Sequence, residues 1–429
     1  MEKLQYPQLG ETLFRQKLAN GLTVAVLPRP GFRRKIAYLV TDWGSMHRHF
    51  RRDGKICSAP EGTAHYLEHK LFDMPDGRDI SGEFAALGAY PNAFTAYDMT
   101  AFHFSCTEHF DQALELLLDL VGIGWFSEEG VTREREIIGQ EIDMNADTPE
   151  SRVFENLMLG MYRTHPVRET ILGTRDSIGQ ITPEVLTLCH DAWFSPENML
   201  LCVVGDVDPA QIAAAAARLP QRQGSKKIPL PQEELTCPAR EMEQTMEVSM
   251  PMFQLGFKCM PIGTGEEAVR REIIGDLAAE ALFGESSPLY LKLYESGLID
   301  GSFGGGFDTL DDMAMLTASG DSLDPEAIRQ EIFAAAEALL AGGIDQEQFL
   351  RMKRSALGRR IRDLDSFEST CFRLCAYHFL DFDYLRFPEI YSSVEAEDIL
   401  AFLKETIREE RCCLSVVWPP ENESEEDTL

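Results

Sequence analysis

Apolar positions along the chain follow two rhythms, one of helical period and one of strand length, and the same order of rhythms occurs twice. Ile181-Thr-Pro-Glu-Val-Leu opens a helical stretch, and Asn198-Met-Leu-Leu-Cys-Val-Val-Gly205 follows it as a β-branched apolar run. Thr182 before Pro183 predicts an N-cap with proline at the first helical position, where a missing N–H costs nothing. In the second half Val394-Glu-Ala-Glu-Asp-Ile leads in the same way to Arg411-Cys-Cys-Leu-Ser-Val-Val-Trp418, aligning with the first copy without a gap. Phe126 to Ile142 and Ile344 to Ile361 make a second pair, both helical by their apolar spacing. Self-similarity of this kind predicts a duplication. Gln221-Arg-Gln-Gly-Ser-Lys-Lys-Ile-Pro-Leu-Pro231 between the copies is polar and rich in turn formers. The expected organisation is therefore a first domain over 1–220, a linker over 221–240 and a homologous companion over 241–429. The fold class is α+β, with the two domains facing one another, and the acidic tail from Glu421 to Leu429 is expected to be disordered.

Composition narrows the functions. A chain of 429 residues with 44% hydrophobic and 26% charged residues has the profile of a globular protein. Its 71 Asp and Glu against 40 Lys and Arg leave a formal charge of −31, which repels phosphate backbones and disfavours nucleic acid as a partner. The largest basic run, Arg48 to Lys55, is expected to be a solvated loop. The start, Met1-Glu-Lys-Leu-Gln-Tyr-Pro7, has no apolar core of signal-peptide length, and no window approaches eighteen uninterrupted apolar residues, so secretion and membrane spanning are disfavoured. Ten scattered cysteines without a CxxC pair suggest reduced thiols in a cytoplasm.

The strongest chemical signal is His65-Tyr-Leu-Glu-His69. On a helix His65, Glu68, His69 and Phe72 share one face, while Leu67 and Leu71 occupy another. Two imidazoles one turn apart can hold one metal ion, and Glu68 stands where a general base would reach a water on zinc. Catalytic zinc usually takes three protein ligands, so a further ligand is needed elsewhere. Val131-Thr-Arg-Glu-Arg-Glu-Ile-Ile-Gly-Gln-Glu-Ile142 offers candidates. Val131, Ile138 and Ile142 make an apolar stripe there, and Glu134 and Glu141 lie between Ile137 and Ile138. A carboxylate on a buried face is costly unless a metal ion or a metal-bound histidine compensates it. A helix edge from which both glutamates reach water is the other reading of the same spacing.

HxxEH followed by Glu-x6-Glu resembles the pitrilysin and insulinase-type zinc peptidases. The resemblance continues in Asn20-Gly21-Leu22, Pro91-Asn92-Ala93-Phe94-Thr95, Thr100-Ala101, Ser195-Pro196-Glu197-Asn198-Met199 and Val203-Val204-Gly205. The length is similar to that of two-domain members such as subunits of the mitochondrial processing peptidase. The resemblance implies two α/β-roll domains, each a mostly antiparallel sheet packed with helices. It also implies zinc on His65, His69 and Glu141, with Glu68 activating water and Glu134 oriented toward a ligand histidine or the metal. Asn92 and Ala93 would lie on the sheet edge to which a peptide adds as a strand, a mode that reads backbone and tolerates many sequences.

The second half lacks the motif: matching Leu282-Phe283 to Leu71-Phe72 sets Asp276, Ala279 and Glu280 against His65, Glu68 and His69, and Arg359 or Arg360 against Glu141. The family's companion half often carries an Arg followed by Gly-Leu-x-Tyr that touches the peptide near zinc. Here Tyr294 and Asp300 stand at those positions. The following Gly301-Ser-Phe-Gly-Gly-Gly306 is expected to be a turn. The resemblance thus implies a zinc metalloendopeptidase of short or unfolded peptides. It would be the metal-bearing subunit of a dimer, paired with a related chain lacking HxxEH or with itself. The alternative is a non-catalytic peptide-binding or scaffolding subunit.

Overall fold

A computed structural model describes residues 1–420, and the acidic tail expected to be disordered lies outside the described residues. Strands run in chain order as β1 (Glu2–Tyr6), β2 (Glu11–Lys17), β3 (Thr23–Pro28), β4 (Lys35–Thr41), β5 (His49–Arg52), β6 (Lys55–Ser58), β7 (Tyr90–Thr95), β8 (Thr100–Cys106), β9 (Met199–Gly205), β10 (Lys226–Lys227), β11 (Glu241–Thr245), β12 (Met252–Cys259), β13 (Gly304–Leu310), β14 (Met313–Asp321) and β15 (Cys412–Trp418). The helices that set the duplicated pattern and the site are α1 (Thr63–Lys70), α2 (Glu128–Ala146), α3 (Pro149–Met161), α4 (Pro183–Trp193), α5 (Gly265–Phe283), α6 (Pro288–Glu295), α7 (Gln346–Arg362), α8 (Phe367–Phe379) and α9 (Ala396–Thr406).

Two compact units result. The first, Met1–Asp143 with Glu169–Leu230 and Leu357–Glu389, holds a seven-stranded sheet in the order β1-β2-β3-β9-β4-β8-β7 and a small sheet β10-β5-β6. The second, Met144–Arg168 with Pro231–Ala356 and Ile390–Leu429, holds a five-stranded sheet in the order β11-β15-β12-β14-β13. The run β3-β9-β4-β8-β7 and the run β11-β15-β12-β14-β13 have the same topology, each with one parallel pair (β3 with β9, β11 with β15) among antiparallel neighbours. The fold class is therefore α+β, with two homologous sheets packed by helices. Helices repeat in step: α2 and α7 begin at 128 and 346, α4 and α9 at 183 and 396. Thr182 caps α4 through the Val185 N–H, with Pro183 in the first turn.

Each unit borrows a helix from the other half of the sequence. In the first, α8 covers β9 and β4, placing Cys371 and Cys375 in the core beside Cys202. In the second, α3 lies on β12 and β15, and two glycines permit the approach. A Cβ at Gly160 would stand 2.4 Å from Cys413 Sγ, and one at Gly256 would stand 2.6 Å from Met161 Sδ. The exchange is invisible to local periodicity because both helices are simply amphipathic.

Two expected loops are different. Arg48 to Lys55 is a hairpin, β5 paired with β6, because Asp53 (φ 50°) and Gly54 (φ 75°) both take the left-handed backbone that a tight two-residue turn requires. Gly304 to Gly306 begins β13 instead of continuing a turn. Gly305 serves close packing on α5, since a Cβ there would meet the Phe283 ring at 2.3 Å.

The segment around 221–240 is fixed at both ends. Lys226 and Lys227 pair with β5, and Ser225 exchanges hydrogen bonds with the Asn198 side chain. Further on, Glu233 accepts the backbone N–H groups of Arg163 (2.9 Å), Thr164 and His165 (2.8 Å) and meets Lys258 Nζ at 2.9 Å. Burial pushes the Glu233 carboxyl up, but Lys258 and the three N–H groups outweigh it and hold the carboxyl down at about 2. A folded-state value below the unfolded one stabilises above the unfolded pKa and is lost as pH falls through the folded one. We expect Glu233→Gln to cost about 2 kcal/mol at pH 7, less than the full shift because the amide oxygen can still accept hydrogen bonds in the clamp. In urea denaturation the gap between variant and parent should shrink as pH drops from 4.5 toward 2. A gap independent of pH would mean that the clamp contributes through packing alone.

Candidate metal centre

Gly62 is the N-cap of helix α1, and its φ of 81° and proximity to Leu172 O (2.3 Å from where a Cβ would sit) leave room for no side chain. Tyr66, Leu67 and Leu71 anchor the helix in the core of the first unit. The Tyr66 hydroxyl donates to Val131 O of α2, fixing the two helices against each other. On α2 the expected stripe is present: Val131 and Ile138 are buried and Ile142 packs against the same core. That docking brings Glu134 and Glu141, more than sixty residues along the chain, to His65 and His69.

His65 Nε2 and His69 Nε2 are 3.2 Å apart, and Glu141 Oε2 is 3.6 Å from each. A tetrahedral zinc site with bonds of about 2.0–2.1 Å places its donor atoms roughly 3.3–3.4 Å apart, close to this triangle. Glu141 Oε2 is buried and has no hydrogen-bond partner. An orphaned carboxylate oxygen facing two imidazole nitrogens is the condition a bound cation would relieve, so the donor set fits zinc. Among the described residues these three side chains are the one His, Cys, Asp or Glu group close enough to hold a metal ion together. On α5, Asp276 and Glu280 belong to no such group among the described residues.

Electrostatics around the triangle is graded. Burial, helped by the neighbouring His69 and opposed by Glu134, lowers the His65 pKa to about 3, leaving the neutral imidazole that metals prefer. Burial also lowers His69, but the hydrogen bond to Glu134 and the charges of Glu141 and Glu68 outweigh it and raise this ring. Glu134 Oε1 is 3.0 Å from His69 Nδ1, which directs the ring's other nitrogen toward Glu141. The His69 contact in turn holds the Glu134 carboxyl below its ordinary value.

Glu68 points to the neighbouring sheet edge, where Oε2 accepts the Thr95 hydroxyl at 2.7 Å. Burial raises its carboxyl despite Thr95 and His69. Glu68, His69 and Glu134 line a groove of about 560 Å³ together with Phe72, Asp73, Ser81, Pro91, Asn92 and Ala93. Among the described residues β7 forms the edge of the seven-stranded sheet, paired on one side only, with β8. The Ala93 N–H is engaged by the Asn92 side chain at 2.9 Å, so strand addition there would exchange that local bond for one to a peptide.

Tyr294 and Asp300 belong to the second unit. Tyr294 is 56% exposed on α6 and stacks on Tyr290 at 6.0 Å, and Asp300 accepts the Ser302 N–H at 2.7 Å. Sequence reasoning missed Lys70 and Asp73. The available signal was a lysine three residues after Leu67, on the face assigned to the core.

The order HxxEH on α1, with glutamates brought to it by a second helix, is the pattern of the inverted zinc-peptidase class. The comparisons agree: residues 57–175 match the insulinase family (peptidase family M16), and residues 180–356 match the M16 inactive domain. The chain belongs to this family. It is 35% identical over 432 residues to the "Uncharacterized zinc protease YmfH" of Bacillus subtilis, covering 98% of this chain and 99% of that protein. A crystal structure from Alicyclobacillus acidocaldarius, described as an M16-like peptidase, superposes with a TM-score of 0.92 at 30% identity over 97% of this chain and all of that one. Pitrilysin shares the fold, with a TM-score of 0.78 at 18% identity, over 97% of this chain and 46% of its own.

Proposed function

We propose that the protein is a zinc metalloendopeptidase of short or unfolded peptides, with His65, His69 and Glu141 as ligands. The observation that carries this reading is the donor triangle with Glu68 beside it at a free sheet edge. Zinc bound there supplies a Lewis acid that polarises the scissile carbonyl and acidifies the attacking water. Glu68 takes that water's proton and returns one to the departing amine, a task suited to a carboxylate whose proton affinity burial has raised. Thr95 holds one Glu68 oxygen and leaves the other free. Asn92 and Ala93 on β7 pair with the extended peptide through backbone groups, which selects unfolded segments over side-chain sequence.

In this reading residues 1–220 bear the metal, 221–240 link, and 241–429 serve as a companion without metal. The free state of all ten cysteines supports a cytoplasmic setting. Among the described residues no helix is long and apolar enough to cross a membrane. Pairing with a homologous chain lacking HxxEH is part of the proposal, because Tyr294 and Asp300 stand where the family often has its peptide-contacting Arg and Tyr. The test incubates the full chain with a mixed peptide library and with a compact disulfide-locked protein, with and without a chelator. Peptides should be cut, the folded protein spared, and chelation should stop cleavage. Rapid digestion of the folded protein, or cleavage untouched by the chelator, would count against the reading.

A further inference from the structure

We propose that Lys70 is a positioning residue for the metal site, its buried ammonium fixing the Glu134 carboxylate that orients His69. The inference rests on reading His65, His69 and Glu141 as metal ligands. Lys70 ends α1, directly after His69, and its side chain is fully buried. A buried ammonium is costly unless carboxylates surround it. Two do: Asp73 in direct contact, and Glu134, whose Oε2 is 3.8 Å from Nζ. Glu134 therefore bridges, with one oxygen toward Lys70 and the other on His69 Nδ1 at 3.0 Å. Arg133 meets the same Asp73 oxygen as Lys70 does, at 3.5 Å.

The fold makes room for this arrangement. α2 carries Gly130 opposite Lys70, where an added Cβ would stand 3.0 Å from both Lys70 Nζ and Asp73 Oδ2. The Tyr66 hydroxyl ties α1 to Val131 beside that glycine, so the lysine meets α2 at a fixed point. Among the described residues the Lys70 ammonium pairs with Asp73 and Glu134 and with no member of the donor triangle, so its effect on metal passes through Glu134 and His69. Without the ammonium, Glu134 keeps Arg133 as a nearby cation, and that side chain is 62% exposed. The carboxylate is then free to turn toward water, and the His69 ring loses the acceptor that sets its tautomer.

Zinc competition against a chelator of known affinity, on the full chain, gives the first readout. Lys70→Met should bind zinc about 10- to 100-fold more weakly than the parent, as should Glu134→Gln. The double variant should bind no more weakly than Glu134→Gln alone, because both changes break one relay. Lys70→Arg, which keeps the charge, should recover most of the affinity. If Lys70→Met does not fold, Lys70→Gln is held to the same outcomes. The second readout needs no metal: 15N imidazole shifts of the metal-free protein, at a pH where the ring is neutral, should report an Nδ1-protonated His69 in the parent and a tautomer mixture in Lys70→Met. Unchanged affinity with an unchanged tautomer, or losses that add in the double variant, would overturn the relay. Loss of the fixed tautomer in a chain that binds no zinc at all would retain the relay and sink the metal reading instead.

Discussion

Glu68→Gln should keep its zinc and lose peptide cleavage by about 100- to 10,000-fold, the range associated with removing a general base. The amide has the shape of the carboxylate, and its oxygen can still accept the Thr95 hydroxyl that holds Glu68 in place. It cannot take up a proton. Glu68 lies outside the triangle of His65, His69 and Glu141, so metal content should not change. Metal analysis beside cleavage rates on the same preparation separates the two effects. A Glu68→Gln chain that cleaves at the parental rate would remove Glu68 from the chemistry and turn attention to the non-catalytic scaffolding role.

The second large effect is expected at the ligands. Glu141→Gln should weaken zinc binding by more than the roughly 10- to 100-fold typical of outer partners, because it removes the one anionic donor of the triangle. Glu141 Oε2 has no hydrogen-bond partner, so the metal-free protein loses no hydrogen bond there when the amide replaces the carboxylate. Stability without metal should therefore change little while zinc affinity falls, and that contrast marks a ligand rather than a structural residue. His65→Ala and His69→Ala should also lose zinc, whereas Glu280→Ala on α5 should not. Equilibrium dialysis with metal analysis checks all four, and parental affinity in either histidine variant would sink the assignment.

Much of this was legible along the chain because it depends on period and spacing. The four-residue step from His65 to His69 sets both rings on one helical face whatever surrounds them, and the seven-residue step from Glu134 to Glu141 does the same for the carboxylates. The apolar stripe of Val131, Ile138 and Ile142 fixes which side of α2 is buried. The duplication was equally visible, since alignment of the helix–strand pairs ending in β9 and β15 needs no coordinates. The Asp53-Gly54 hairpin is also legible in its dipeptide, whereas Gly305 is explained only by the Phe283 ring packed against it.

What the sequence alone determined, then, is the set of local elements, the repeat and the residue types able to hold zinc. Only the tertiary structure decided how close those residues come, because the distance from His69 to Glu134 and Glu141 depends on docking α1 onto α2 through Tyr66, Val131 and a shared core. The same holds for Lys70, whose partners on α2 and in the turn after α1 cannot be inferred from helical period. It holds too for α3 and α8, which complete the sheet of the other sequence half. An amphipathic helix specifies that one face must be covered, while the glycines, cysteines and sheet surfaces it meets across long sequence separations choose the cover.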